Sequence, residues 1–344
     1  GKGTLRKGES FWGKCSSQRE ALRYDGQTVS QSAIWGKGKV MRGKFHVISD
    51  GSCDLPKELV GEREITVVPF YVAFNDEHYF KEGTELSVRE FYQKMIDEPT
   101  NFPKSSMPSV QDFADVFLPF AKAGEPMLCI CISSKFSGCI QSAQNAKELV
   151  LEECPDARIE VIDARVNTVL QGLYVLEACK LRDAGRELAE SAARLREIRE
   201  SGRIFFTVGS FEYLKSGGRI GKVATAAVGA LGIRPVITLK DGEIFPSGIG
   251  RSRKKTGARS IDLLVKYVRE FRATPESHTL DIGVGYDLAE AEAFREEILR
   301  ALRDEGFVIE KKDIPIYQIG AGIGVHTGPL PLGVTILERA IRGV

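Results

Sequence analysis

The chain lacks the patterns that mark several large classes of protein. Its 344 residues contain no apolar run approaching the roughly 18 residues of a membrane-spanning helix. They contain no G-x-x-x-x-G-K followed by Ser or Thr, no G-x-S-x-G and no H-E-x-x-H, which excludes a recognisable phosphate loop, hydrolase elbow or zinc-protease helix. Net charge is only +1, so we predict no membrane span and no specific binding of nucleic acid.

Metal-ligating residues are few and scattered. The chain has four histidines and seven cysteines, with no C-x-x-C pair and no His at zinc-ligand spacing. We therefore predict no metal site and no bound cofactor. An odd, dispersed set of cysteines favours free thiols in a reducing, cytoplasmic setting.

The first part of the chain differs from the rest. Residues 1–40 hold eight Lys or Arg against three Asp or Glu and show no apolar period, and the first methionine is Met41. We predict that residues 1–43 are a disordered or non-native basic extension. A nucleic-acid-binding arm is the alternative, favoured only by Trp12 and Trp35.

Strands and helices alternate from Phe45 onward. Apolar runs at 45–50, 126–132 and 157–163 are separated by helical patterns, which predicts a parallel-sheet α/β domain over 44–200. After residue 201 the order becomes mixed, and Asp241-Gly242 marks a hairpin turn. We predict an α+β domain over 201–344.

One loop presents hydroxyl groups where a buried strand ends. The stretch CICISSKFSGCIQSA, residues 129–143, leaves an apolar strand through Ser133, Ser134 and Ser137 before a helix begins. Free backbone N–H groups and the positive end of a helix favour an anion at such a turn.

Other candidate residues have simpler explanations too. His326 lies in a glycine-rich segment predicted as a loop, and Arg219 follows the Gly217-Gly218 turn; a satisfied histidine and a paired surface charge would explain them. Ser105 and Ser106 could belong to an ordinary loop.

A basic cluster lies at the start of a predicted helix over about 252–271. Arg251 and Arg253 are placed against the preference of the helix dipole. A solvated face is the simplest explanation, and an acidic partner is the alternative.

Seven motifs resemble those of the DegV family in their order along the chain. The resemblance runs from about residue 44 to the C-terminus. The motifs are DGSCDLP (50–56), VVPFYV (67–72), KSSMPS (104–109), ISSKFSGCIQSA (132–143), VIDAR (161–165), FEYLKSGGRIG (211–221) and HTGP (326–329).

The resemblance implies two domains with a ligand tunnel between them that holds one long-chain fatty acid, domain 44–200 being the lipid-binding one. The residues that match the family's carboxylate-binding positions are Ser105, Ser106, Ser133, Ser134 and His326. Arg219 matches the family's GGRI arginine, a candidate for charge stabilisation, and Arg251 and Arg253 match a basic stretch that docks a partner.

The implied function is that of a fatty acid kinase subunit. The chain would present the bound carboxylate to a separate ATP-binding subunit for phosphorylation to an acyl phosphate, with no catalysis of its own. A stand-alone fatty-acid carrier or sensor is the first alternative. A serine hydrolase that pairs Ser133 or Ser134 with His326 is the second.

Overall fold

The computed structural model describes residues 23–24, 27–28, 45–75, 78–226 and 232–342. The chain divides into two compact units, Gly1–Met41 and Arg42–Val344. In the first unit, strand β1 (Arg23–Tyr24) pairs antiparallel with β2 (Gln27–Thr28). The rest of the predicted extension over 1–43 lies outside the described residues.

The first half of the second unit alternates strands and helices. Its strands are β3 (His46–Asp50), β4 (Ile65–Val68), β5 (Tyr71–Ala73), β6 (Phe80–Lys81), β7 (Lys104–Ser106), β8 (Met127–Cys131) and β9 (Ile159–Asp163). Its helices are α1 (Lys57–Glu62), α2 (Val88–Asp97), α3 (Val110–Lys122), α4 (Cys139–Glu153), α5 (Thr168–Asp183) and α6 (Leu188–Ile198).

Four of these strands form the predicted parallel sheet, in the order β4-β3-β8-β9. Every residue of β8 is buried, as expected for a strand covered by helices on both faces. Because β3, β8 and β9 are parallel, their carboxyl ends lie at the same end of the sheet. Asp50, Ile132 and Asp163 are located there. The parallel α/β prediction is confirmed.

Pro69 separates two strands that belong to different sheets. β4 ends at Val68, whereas β5 pairs with β6 and β7 in a small antiparallel sheet. Ser105 and Ser106 therefore lie on a strand, with Ser106 opposite Tyr71, and the expectation of an ordinary loop there is wrong. The register with β5, and not any apolar alternation in the sequence, makes this segment extended.

The second half is built around a mixed sheet. Its strands are β10 (Arg203–Thr207), β11 (Arg234–Lys240), β12 (Glu243–Gly250), β13 (His278–Val284), β14 (Ile316–Gln318) and β15 (Leu332–Glu338). Its helices are α7 (Glu212–Ser216), α8 (Arg253–Phe271), α9 (Leu288–Asp304) and α10 (Ala321–Thr327). The strand order is β12-β11-β10-β15-β13-β14, with β13 and β14 parallel.

The predicted hairpin turn is present between β11 and β12. Asp241 and Gly242 both have positive φ, 53° and 81°, the backbone that a two-residue turn between twisted strands requires. Lys240 pairs with Glu243 across it.

Helix α5 lies between the two sheets and is buried on nearly all sides. One hydrophobic cluster continues through it, from Phe45 and Leu128 to Ile237 and Leu337. The domain boundary at residue 200 stays a prediction, because this cluster draws on both sides of it. Within the described part of the chain, no helix is both long and apolar enough to cross a bilayer.

Candidate functional site

A cavity of about 380 Å³ lies between the two halves of the second unit. Its polar wall carries three serine hydroxyls, one histidine and one arginine: Ser105, Ser106, Ser137, His326 and Arg219. The remaining wall is mostly apolar and includes Phe70, Met107, Ile132, Phe136, Phe206, Leu214, Ile244 and Ile323. Such a site can hold a ligand with one polar end and an apolar body.

A second, inner chamber adjoins this cavity. Both are lined by Asn167, Phe206, Ile323 and Thr327, so they are neighbours. The inner chamber measures only about 40 Å³ and is walled by apolar side chains such as Val169 and Leu332. The lining of this chamber includes residues of β10, β13 and β15, so apolar space continues from the cavity toward the second sheet.

His326 and Ser105 meet on the polar wall. The Ser105 Oγ lies 3.3 Å from His326 Nε2. His326 lies on helix α10 and not in a loop, so that expectation is wrong. Gly324, one of the glycines that suggested a loop, instead allows close packing, because a Cβ there would press against Phe91 and Tyr92. Gly217, in the turn before Arg219, leaves room for the His326 ring, which a Cβ would overlap.

The imidazole of His326 is held neutral. Burial, followed by the positive charge of Arg219, lowers the pKa of His326 from 6.5 to about 4. No described residue offers its Nδ1 a hydrogen-bond partner. Neutral imidazole can donate one hydrogen bond to a ligand oxygen without needing a counter-ion.

Arg219 is fixed at the exposed mouth of the cavity. Its Nε donates to the Phe136 carbonyl at 3.1 Å, and its guanidinium also donates to the Gly217 carbonyl at 2.9 Å. The turn before it uses Gly218 with φ of 66°. The backbone thus holds a cation beside the serine hydroxyls.

Ser133 and Ser134 lie outside this wall. The buried Ser133 hydroxyl donates to the Gly242 carbonyl at 2.8 Å, which joins the end of β8 to the hairpin of the second sheet. Ser134 is exposed, and its backbone N–H donates to Asp163. The same loop sends Ser137 to the cavity instead, and the Ser137 hydroxyl also accepts from the N–H of Cys139 at the start of α4.

Asp50 organises the loop from behind. Its buried carboxylate accepts from the Ile132 N–H at 2.7 Å and from the Cys139 thiol at 3.3 Å. The donor atoms of Asp50, Cys131 and Cys139 lie within 4.8 Å of one another. Burial raises the pKa of Asp50, and the hydrogen bond with Cys131 raises that of the Cys139 thiol.

Two carboxylates face each other behind α10. A Cβ on Gly320 would overlap an oxygen of both Asp54 and Glu82. Glu82 accepts from the Gly322 N–H at 3.1 Å, while its other oxygen has no partner among the described residues. Burial raises the pKa of Glu82 to about 7; burial and then the charge of Glu82 raise that of Asp54 well above its usual value.

The two arginines predicted to dock a partner have different surroundings. Arg253 is half-buried; it donates to Glu290 at 2.8 Å and to the Leu330 carbonyl at 2.6 Å. Arg251 is exposed, as are Lys254 and Lys255.

The chain is similar to proteins of one family along most of its length. The sequence profile of the DegV family, described as uncharacterised protein, matches residues 44–339. A DegV domain-containing protein of Clostridium perfringens is 32% identical over 86% of this chain and 99% of its own.

Two solved structures share the fold. A stearic-acid-binding protein from Eubacterium ventriosum is 41% identical with a TM-score of 0.81, over 86% of this chain and 99% of its own. A fatty-acid-binding DegV family protein from Thermus thermophilus is 29% identical with a TM-score of 0.75, over the same shares.

Proposed function

The chain belongs to the DegV family, and we propose that it binds one long-chain fatty acid in the cavity between its two halves. The observation that carries this proposal is a single cavity wall that combines Ser105, Ser106, His326 and Arg219 and continues into apolar space. Both structural relatives described above bind fatty acids.

The carboxylate would lie against the polar wall. The hydroxyls of Ser105, Ser106 and Ser137 and neutral His326 can donate hydrogen bonds, and Arg219 offsets the negative charge. Ser133 supports this wall through its bond to the hairpin, so we place it behind the site. A tail of fourteen methylenes gives on the order of 11 kcal/mol of gross transfer energy, reduced by ordering.

A serine hydrolase is disfavoured by the surroundings of His326. A histidine base needs an acid or carbonyl to orient its second nitrogen. Among the described residues none forms a hydrogen bond with Nδ1, and Ser105, not Ser133 or Ser134, lies beside Nε2. The neighbouring Arg219 also opposes formation of an imidazolium.

We further propose that the bound carboxylate is presented to a separate ATP-binding kinase subunit. A carboxylate is already ionised at neutral pH, so phosphoryl transfer to it requires orientation and charge neutralisation without a general base. Exposed Arg219 at the cavity mouth suits that task. Docking would use exposed Arg251, while Arg253 holds the start of α8 through Glu290.

A cytoplasmic location is part of the proposal. The six cysteines that the structure describes are free thiols, which fits a reducing compartment. A stand-alone carrier remains the alternative to a kinase subunit.

The test is denaturing mass spectrometry of the full chain, followed by phosphorylation with a cognate ATP-binding subunit. We expect about one fatty acid per chain and ATP-dependent acyl phosphate. Arg251→Glu should leave bound lipid unchanged and slow phosphorylation. Only trace lipid after complete extraction would overturn the proposed fatty-acid binding. Bound lipid without phosphorylation would show that the chain is a stand-alone carrier.

A further inference from the structure

A smaller recess opens beside the mouth of the fatty-acid cavity. It has a volume of about 140 Å³ and shares Phe136, Arg219 and Ile244 with the cavity wall. Its remaining side chains are Lys135, Lys222 and Glu243. The recess therefore begins where the cavity reaches solvent.

The recess is cationic, with three basic side chains against one carboxylate. Lys222 Nζ lies 2.9 Å from Glu243 Oε2 and 4.4 Å from the centre of the Phe245 ring. Lys135 and Arg219 are exposed, and Arg219 is fixed by two backbone carbonyls. These groups come from three separate segments, which the fold brings together around one small space.

Glu243 pairs with Lys222, so the recess has a net charge of +2, of which a fatty-acid carboxylate offsets only one. The serine hydroxyls, His326 and Arg219 can bind that carboxylate. Lys135 and Lys222 do not line the fatty-acid cavity. We propose that the recess binds the phosphoryl group of an acyl phosphate whose tail occupies the cavity. This inference rests on the proposed fatty-acid site.

The chemistry matches the extra charge. A carboxylate oxygen forms a bond to the terminal phosphorus of a nucleoside triphosphate, and the phosphoanhydride bond breaks, releasing a nucleoside diphosphate. No proton is transferred. The bound ligand gains a phosphoryl group and one additional negative charge, which Lys135 and Lys222 are placed to offset.

The test compares palmitate with freshly prepared palmitoyl phosphate as competitors of a fluorescent fatty acid on the full chain. The double variant Lys135→Gln with Lys222→Gln should bind palmitoyl phosphate about tenfold more weakly, whereas its affinity for palmitate should change less than about twofold. Glu243→Gln should tighten palmitoyl phosphate only. Lys240→Gln is the matched control, because Lys240 also lies over Phe245 but does not line the recess.

The outcomes separate this inference from the proposed function. Equal effects on both ligands, or none on palmitoyl phosphate, would overturn the recess assignment while leaving fatty-acid binding intact. Inorganic phosphate that competes as well as palmitoyl phosphate would also overturn it, by showing a general anion site. Wild type that fails to bind palmitate would remove the proposed function itself.

Discussion

The Ser105 hydroxyl lies 3.3 Å from Nε2 of His326, although 221 positions separate the two residues. An edge strand of a small antiparallel sheet and a short glycine-rich helix meet at this contact. The pair is hydrogen-bonded, yet no residue that the structure describes forms a hydrogen bond with Nδ1 of His326, which suits ligand binding better than nucleophilic catalysis.

This pair should contribute jointly to fatty-acid affinity. Ser105→Ala and His326→Ala should each weaken palmitate binding about tenfold, since each substitution removes a hydrogen bond to the charged carboxylate. The double variant should lose less palmitate affinity than the product of the two single losses, because the effects of substituting two contacting residues are rarely additive. Competition titration measures all three, and strictly multiplicative losses would contradict a shared site.

Gly217 should be intolerant of a side chain. A Cβ at this position would overlap the His326 ring, so Gly217→Ala must displace the imidazole. We expect a loss of about 1–3 kcal/mol in the free energy of unfolding together with weaker palmitate binding. Gly61→Ala is the control, because a Cβ there meets nothing within 4 Å. Normal palmitate binding by Gly217→Ala would show that the ring position is unimportant.

Ser133 should act on stability and not on ligand contact. Ser133→Ala removes the bond to the buried Gly242 carbonyl and should lower the free energy of unfolding by about 1–3 kcal/mol. Exposed Ser134→Ala should change it little. Denaturant unfolding and palmitate titration on both variants check this. A palmitate-specific defect in Ser133→Ala, without loss of stability, would instead support the carboxylate-binding role predicted from the sequence.

Glu82 should make stability fall as pH rises. Its folded pKa of about 7 lies above the ordinary 4.5, so in that window the folded chain holds a proton that the unfolded chain has released. The stabilisation is complete below the lower value and is lost as pH approaches the upper one. Relative to Glu82→Gln, the wild type should lose about 3 kcal/mol in the free energy of unfolding as pH rises from 4.5 to about 7.

Urea unfolding at several pH values measures that difference. Exposed Glu148→Gln should follow the wild-type curve at every pH and serves as the control. Parallel curves for wild type and Glu82→Gln would show that Glu82 ionises normally in the folded chain.

Several elements were predictable because local signals and the final fold agree. The short apolar run of β8 predicts a buried parallel strand, and Asp241-Gly242 predicts the hairpin turn. Ser109 directly precedes α3, and its hydroxyl caps that helix by accepting from the Asp112 N–H. In each case neighbouring residues alone determine the structure.

The site needed information that neighbouring residues do not contain. Glycines disfavour a helix at His326, yet packing of α10 against Phe91 and Tyr92 overrides that propensity. Turn geometry decides that Ser137, and not Ser133 or Ser134, lines the cavity. The sequence shows that all three serines belong to one loop, but it does not indicate which of their hydroxyls faces the cavity. Arg253 likewise pairs with Glu290, a partner 37 positions away.

The distance in sequence between Ser105 and His326 has a consequence for biosynthesis. A ribosome must translate past residue 327 before α10 can supply its histidine, so every nascent chain that stops earlier lacks a complete binding wall. A fatty acid that binds there would recognise only chains that already include α10 and would stabilise their folded form by mass action. Supply of lipid would then influence how much of this protein a cell retains.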